Sequence, residues 1–142
     1  MLTFDLTPLA RRLDCLPELD AARGKDLSRV GWMFLADMLR EMPEESDRTR
    51  ALVDPVIAGM DRLAAGEDWQ DARQAWAVAA AAPSPTPPFL KAAWAATLAA
   101  AWSAEAEEAG EWALVAAAWA AKAGLPYERR REILMRLMEE AT

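Results

Sequence analysis

Alanine runs interrupted by tryptophan are the feature that most restricts how this chain of 142 residues can fold. Alanine favours the helix more than any other residue, and its small side chain lets two helices approach closely. The 7 tryptophans supply the bulk that alanine lacks, so helices can interlock around a few large indoles. Strand-like alternation of apolar and polar residues is nearly absent. The sequence therefore predicts an all-α fold, a compact array of helices with a core of alanine and tryptophan.

Proline, glycine and capping residues divide the chain into about six to seven helices. The predicted starts are Thr7, Asp26, Ser46, Asp68, Thr86, a turn near Ser103, and Pro126, and the predicted C-terminal caps include Gly66 and Gly124. Asp54-Pro55 predicts either a kink in the third helix or a junction of two shorter ones. The proline-rich stretch 83–88 predicts a stiff connection between helices, since apolar helices flank it closely. We therefore predict one helical domain over residues 1–142.

The net negative charge of the chain limits the classes of molecule that are expected to bind it. The formal net charge is −7 at pH 7. Nucleic acids and anionic lipid surfaces both attract cationic proteins, so neither is a predicted partner. The charge suits a basic protein partner, or it serves only to keep an alanine-rich chain in solution.

The start of the chain and its cysteine content predict a cytoplasmic protein. The opening MLTFDL has an early Asp5 and no basic stretch before an apolar one, so it does not resemble a signal peptide. The single cysteine, Cys15, cannot form an internal disulfide. No run of about 20 apolar residues is present, so no membrane span is predicted.

The absence of histidine argues against most catalytic machinery. Histidine is the commonest general base and metal ligand, and Ser-His-Asp and Cys-His arrangements require it. The sequence also lacks the motifs of zinc sites and of phosphate-binding glycine loops. Cys15 could act as a nucleophile, but a place near a helix C-terminus raises a thiol pKa, which favours a core residue. We therefore predict a non-catalytic protein with no cofactor and no metal.

Pairs of carboxylates offer the remaining route to an enzyme. The pairs one helical turn apart are Asp68 with Asp71, Glu105 with Glu108, and Glu107 with Glu111. Facing pairs can hold Mg²⁺, as in all-α nucleotide pyrophosphohydrolases, and an enzyme of that kind is one alternative. The pairs lie at predicted helix starts, where the helix dipole alone favours acidic residues.

Exposed aromatic and charged side chains are the candidates for binding another protein. Helical spacing predicts core positions for Trp76, Trp94, Trp112 and Trp119. Trp69 and Trp102 stand at helix ends, and Trp32 lies off the main stripe of its helix, so these three could face a partner. The arginines 129–131 predict either a solvated face paired with acids or a cationic contact point. The candidate partner-binding residues are Glu44, Glu45, Asp47, Asp68, Trp69, Asp71, Trp102, Glu105, Glu107, Glu108, Glu111, Arg129, Arg130 and Arg131.

The segment Arg50–Ala123, about half of the chain, resembles a group of alanine-rich helical immunity proteins of bacteria. The resemblance lies in Gly66-Glu67, Ala72-Arg73, Ala75–Ala82, Ala92–Ala96, Trp112-Ala113 and Ala116–Ala121. Those relatives carry histidines among the alanines, and this chain has none. The resemblance implies a cytoplasmic protein that binds a toxin and covers its active surface, with acidic groups meeting basic ones.

Protein binding without catalysis is therefore the predicted function, and a toxin-immunity protein that masks a basic toxin surface is the specific expectation. A structural or accessory subunit that forms homo-oligomers through an exposed helix face is the first alternative. The Mg²⁺-dependent enzyme with paired carboxylates is the second. Alone, the chain is expected to be a monomer or a homodimer.

Overall fold

The computed structural model describes residues 4–42, 47–81, 87–101 and 105–141. In those residues it contains eight α-helices and no β-strand, so the all-α prediction is confirmed. The helices are α1 (Thr7–Arg12), α2 (Leu16–Ala21), α3 (Leu27–Glu41), α4 (Asp47–Ala64), α5 (Ala72–Ala80), α6 (Pro88–Ala101), α7 (Ala106–Lys122) and α8 (Tyr127–Glu140). The count exceeds the predicted six to seven because α2 forms where a loop was expected.

Helix α2 has a proline in its first turn, a start signal that was not used in predicting the helices. Pro17 lies in its first turn, where a missing backbone N–H costs nothing. Cys15 immediately precedes α2 and is fully buried, which confirms it as a core residue. It stands at the N-terminus of α2 and also just after the C-terminus of α1, as predicted, since its backbone N–H donates to the Ala10 carbonyl at 2.7 Å. Burial nevertheless raises the pKa of Cys15, because the thiolate would lose its hydration.

Several predicted helix signals are present in the structure. The Asp26 carboxylate accepts a hydrogen bond from the backbone N–H of Arg29 at 3.1 Å and caps α3. Gly66 and Gly124 follow α4 and α7 with φ of 82° and 105°, as expected for C-terminal caps. Pro55 lies inside α4, which continues through it as one helix and not as two shorter ones.

Helix α5 begins later than predicted. It starts at Ala72, so the predicted helix cap at Asp68 is wrong. The Nε–H of Arg62, on the last turn of α4, donates to the backbone carbonyl of Asp68 at 3.1 Å. That bond links the connecting segment to the last turn of α4. Trp69 consequently lies in this connection, before α5, and not in the first turn of the helix.

Helix α6 lies at the centre of the fold and contacts α3, α4, α5 and α7. Its buried side chains are Phe89, Leu90, Ala92, Ala93, Ala95, Ala96, Thr97, Leu98, Ala99 and Ala100. Alanine at most of these positions lets neighbouring helices pack close to the α6 backbone. Thr97 is the only buried polar side chain in the described residues, and its hydroxyl donates to the Trp94 carbonyl at 2.6 Å. Although α6 is apolar on nearly every side, no described helix is long and apolar enough to cross a membrane.

Among the described tryptophans, only Trp32 is fully buried, with 1% of its surface exposed. Its indole meets the Phe4 ring edge to face, with ring centroids 5.0 Å apart. The prediction that Trp32 faces a partner is therefore wrong. The tryptophans predicted for the core are half-buried; they are Trp76, Trp94, Trp112 and Trp119. On α7 the reason is that alanines fill the arc facing the core, so the indoles stand beside that arc.

Candidate protein-binding surfaces

A groove of about 620 Å³ runs between α4 and α5. Its α4 wall consists of Ala51, Leu52, Pro55, Ala58, Gly59 and Arg62. Its α5 wall consists of Gln74, Ala75 and Val78. Val78 is 46% exposed, which is unusual for a large hydrophobic side chain in the described part of this chain. The groove is therefore a largely apolar channel with small side chains along most of its length.

Trp69 lies at the end of the groove where α4 ends and α5 begins. Its half-buried indole rests on α4 at Gly59, where a Cβ atom would overlap the ring. Glycine in a helix interior costs about 1 kcal/mol relative to alanine. The close approach of the indole is the physical reason why α4 has glycine at this position.

Three exposed carboxylates flank Trp69 in the connection between α4 and α5: Glu67, Asp68 and Asp71. None of them forms an ion pair with another described residue. Asp71 lines the groove, whereas Glu67 and Asp68 line a second hollow of about 460 Å³ that extends to α3. The structure thus brings together Asp68, Trp69 and Asp71, which the sequence analysis named as partner-binding candidates.

A second surface lies where α6 and α7 pack together. Trp94 and Trp112 meet edge to face, with ring centroids 5.9 Å apart and planes at 83°. The ammonium groups of Lys91 and Lys122 lie 4.3 and 4.7 Å from the centroid of the Trp119 ring, which are cation–π distances. All three indoles are half-buried. This surface is therefore aromatic, and both its lysines are gathered at one end.

The predicted acids of α7 lie apart from the groove. Glu107 and Glu108 occupy the first turn of α7, Glu105 precedes it, and Glu111 lies about one turn further on. All four are exposed, and none lines the groove between α4 and α5. No group of three or more acidic, cysteine or histidine side chains in the described residues is arranged to hold a metal ion. The facing carboxylate pairs on which the Mg²⁺ alternative depends are therefore not found in that part of the chain.

Arg129 makes ion pairs within the chain. It contacts Glu41 of α3 at 2.5 Å and Glu132 of its own helix at 3.0 Å. These hydrogen bonds raise the pKa of Arg129 above its ordinary value. Arg136 adds a second link between α8 and α3, since it pairs with Asp37 at 3.0 Å. One role of the cations on α8 is therefore to hold that helix against α3.

The next two arginines differ in their contacts, and Arg131 reaches the connection between α1 and α2. Arg131 donates to the Asp14 carbonyl at 3.4 Å. Arg130 is half-buried, and burial lowers the pKa of its guanidinium, which lies 5.9 Å from the Tyr127 ring. The Tyr127 hydroxyl donates to the Asp14 carboxylate at 2.5 Å, and this bond is the main reason why the pKa of Tyr127 is raised. A cationic contact point for a partner at residues 129–131 stays a prediction.

Four of the predicted partner-binding side chains lie outside the part of the chain that the structure describes. Glu44, Glu45 and Trp102 lie outside the described residues, and so does the side chain of Asp47 at the start of α4. Their role in binding stays a prediction.

Sequence reasoning missed Gly59 and Val78 in the groove and the two lysines of the second surface. A glycine inside a helical pattern indicates a close packing contact, and that signal was available at Gly59. Lys122 stands three residues from Trp119 and has no acid one helical turn away, which favours a cation–π contact. Lys91 reaches the same ring from α6, and no local spacing indicates that contact. The exposure of Val78 was not predictable from the sequence. Its helix is rich in alanine, so the pattern of residues does not show which side of the helix is exposed.

Comparison of the chain with protein families, with curated proteins and with solved structures found no match. The resemblance to immunity proteins therefore stays a prediction. The function has to be inferred from the shape, charge and exposed aromatic groups of the two surfaces.

Proposed function

We propose that this chain is a non-catalytic protein-binding domain, and that the groove between α4 and α5 takes a basic, partly apolar segment of another protein. The observation that carries the proposal is Trp69, half-buried at the end of an apolar groove beside three exposed carboxylates. Tryptophan is the residue most enriched among those that dominate binding energy in protein interfaces.

The groove is long enough for a short helical segment of the partner. From Ala51 to Arg62 the α4 wall rises about 16 Å, which equals three turns of an α-helix. Apolar side chains of the partner would lie on Leu52 and Val78. Lysine or arginine at one end would meet Asp71 and its neighbours. The net charge of −7 would speed the encounter with a basic protein, and salt would weaken that effect.

The resemblance of residues 50–123 to immunity proteins makes a toxin the specific partner that we propose. The described groove residues fall within that segment. An immunity protein has to recognise one toxin and release it rarely. A groove with one aromatic anchor and an acidic end meets that need, because it combines a hydrophobic contact with charge complementarity.

The test is affinity purification of the tagged protein from lysate of its own source, with mass spectrometry of the proteins retained. We expect one stoichiometric basic partner whose binding weakens between 50 and 300 mM salt, conditions over which exposed charges become screened. With that partner in hand, Trp69→Ala should weaken binding by about 30-fold and Asp71→Asn by about 2- to 5-fold. Two matched controls remove similar groups outside the groove: Tyr127→Ala, an exposed aromatic, and Glu128→Gln, an exposed carboxylate.

Equal effects of the groove variants and their controls would exclude the groove as the binding site. Retention of a partner that is acidic, or whose binding is insensitive to salt, would exclude the basic segment.

A further inference from the structure

We infer that Arg12 and Arg130 together form a binding site for an oxyanion, and that the site takes a phosphate group. The two arginines lie at the end of α1 and in the first turns of α8, and neither lines the groove between α4 and α5. The site therefore stands independently of the proposed function. It also narrows the cationic contact point predicted at residues 129–131 to one of those three arginines.

The three consecutive arginines of α8 differ in whether the chain supplies their counter-charge. Arg129 pairs with Glu41 at 2.5 Å, and Arg131 approaches Glu18 at 4.0 Å. Arg130 forms no ion pair with any described residue. Of the three, Arg130 is the one whose charge the described residues leave unmatched.

The start of α8 brings Arg130 toward the end of α1. The Tyr127 hydroxyl donates to the Asp14 carboxylate at 2.5 Å, so the first turn of α8 lies against the connection between α1 and α2. The guanidinium of Arg130 lies 5.9 Å from the Tyr127 ring, one helical turn back, so this side chain points toward the start of α8. Arg12 is the last residue of α1, two positions before Asp14. The two arginines therefore face the same part of the surface.

Arg12 and Arg130 are unfavourable neighbours as long as no anion lies between them. The Nε atom of Arg130 is buried and has no hydrogen-bond partner among the described residues. Burial lowers the pKa of Arg130, and the like charge of Arg12 lowers it further. Arg12 is exposed, and it too forms no ion pair with a described residue. A guanidinium that has lost part of its hydration beside a second cation is stabilised when an anion neutralises the pair.

The N-terminus of α8 adds hydrogen-bond donors to the site. Pro126 precedes the helix and no side chain caps it, so the backbone N–H groups of residues 127–129 have no partner in the described part of the chain. Free N–H groups and the helix dipole attract anions at this end of a helix. Glu128, the acid of this turn, is two residues from Arg130 and projects about 200° around the helix from it. Its carboxylate therefore lies on the other side of α8 from the site.

These groups favour a phosphate over a carboxylate. The N–H groups of a guanidinium match the oxygens of a phosphate in pairs, and a phosphate monoester carries close to two negative charges at neutral pH. Two cations therefore gain more from a phosphate than from a singly charged carboxylate. The net charge of −7 repels a dianion from most of the molecule, so binding is expected where unmatched cations are gathered.

An NMR titration of the isotope-labelled chain tests the inference, with inorganic phosphate as the first probe and sodium chloride added to hold the ionic strength constant. We expect saturable shifts of the backbone signals of Arg12 and of residues 127–131, with a dissociation constant of about 1 mM. Arg130→Gln should weaken binding about 10-fold or more and Arg12→Gln about 3- to 10-fold, because each removes charge-assisted hydrogen bonds to the anion. Arg29→Gln removes the same charge from an exposed side chain at the start of α3 and should change the affinity by less than about 2-fold.

Further probes identify the class of ligand. Glycerol phosphate carries the group on a small metabolite, and a tripeptide with a central phosphoserine carries it on a protein side chain. Saturable binding of either supports the inference, and the tighter of the two indicates the natural source of the phosphate. Acetate should bind about 10-fold more weakly than phosphate or less still, and equal binding would overturn the assignment to a phosphate group.

Circular dichroism verifies that each variant keeps its helix content. Where Arg130→Gln loses helix, Arg12→Gln still tests the site, because the Arg12 side chain is exposed. The absence of saturable shifts up to about 20 mM phosphate would overturn the inference. So would a loss of affinity that is the same in Arg29→Gln as in the two site variants.

Discussion

The contact between Gly59 and Trp69 predicts that one substitution changes the sign of its effect when the other is present. Gly59→Ala replaces glycine inside α4 and should stabilise the helix by about 1 kcal/mol through propensity alone. The new Cβ atom would overlap the indole of Trp69, which has to move. Insertion of a methyl group into a packed contact costs about 1–3 kcal/mol. The net result in the wild-type background is a loss of about 0–2 kcal/mol.

Removal of the indole removes the overlap. Trp69→Ala alone should cost about 2 kcal/mol, because a half-buried indole loses roughly 100 Å² of apolar burial. In that background Gly59→Ala meets no ring and keeps only the gain in propensity. It should therefore stabilise the chain by about 1 kcal/mol. The coupling between the two substitutions is then about 1–3 kcal/mol.

Urea unfolding of the four chains, followed by circular dichroism at 222 nm, measures this coupling. The helix signal is preferable to fluorescence because seven tryptophans contribute to the latter. For a chain of this size, 1 kcal/mol corresponds to about 2–4 °C in Tm, so a thermal scan offers a second estimate. Additivity within about 0.5 kcal/mol, with Gly59→Ala stabilising in both backgrounds, would refute the packing of Trp69 on Gly59.

Three further predictions concern groups elsewhere in the chain. Gly110→Ala should lower the free energy of unfolding by about 1–3 kcal/mol, measured by urea unfolding. The new Cβ atom would overlap the backbone carbonyl of Asp5, which cannot rotate away. An unchanged midpoint would contradict this contact. Tyr127, the only tyrosine, should titrate above the ordinary value of about 10 when followed at 295 nm, and Asp14→Gly should bring the pKa back toward that value. Since the folded-state pKa is raised, the stabilising contribution is complete below pH 10 and is lost as pH rises through the folded pKa. Cys15, buried with a raised pKa, should react with a thiol reagent at pH 8 only after unfolding in urea; rapid reaction of the folded chain would show that the thiol is accessible.

Local signals predicted most of the helices because their causes are local. A carboxylate such as Asp26 caps the residue three positions later, and glycine at 66 or 124 accepts a positive φ, whatever the rest of the chain does. The predicted start of α5 at Asp68 was wrong, and in the structure the Asp68 carbonyl accepts a hydrogen bond from Arg62 of α4. That contact joins residues that only the tertiary structure brings together.

The position of each tryptophan was harder to predict for a related reason. Helical spacing shows which residues share a side of a helix, but alanine is compatible with a buried side and with an exposed one. Trp32 was a candidate for facing a partner because of its place on α3, yet it is buried, with Phe4 of the N-terminal segment packed against it. The indoles of α7 were assigned to the core, yet the alanines beside them already fill it.

The candidate groove was predictable only in part. The acids Asp68 and Asp71 with Trp69 were identified from the sequence, since all three stand near a helix end. The wall that faces them belongs to α4, whose contribution depends on how two helices cross. The lysines over Trp119 come from α6 and α7 together, and the sequence analysis did not connect those two positions.

The alanine surface of α6 has a consequence for how the chain is made. Most helices present a polar face to water as they emerge from the ribosome, but α6 has almost no polar face. Its contacts with α3, α4 and α5 can form once it has emerged from the ribosome, whereas the side that α7 covers stays exposed until α7 has emerged as well. At about 5–20 residues per second, the roughly 20 residues through the end of α7 take about 1–4 s. During that interval the nascent chain exposes its most apolar helix. Aggregation and chaperone binding should therefore be greatest at this stage of translation, and a delay there should increase both.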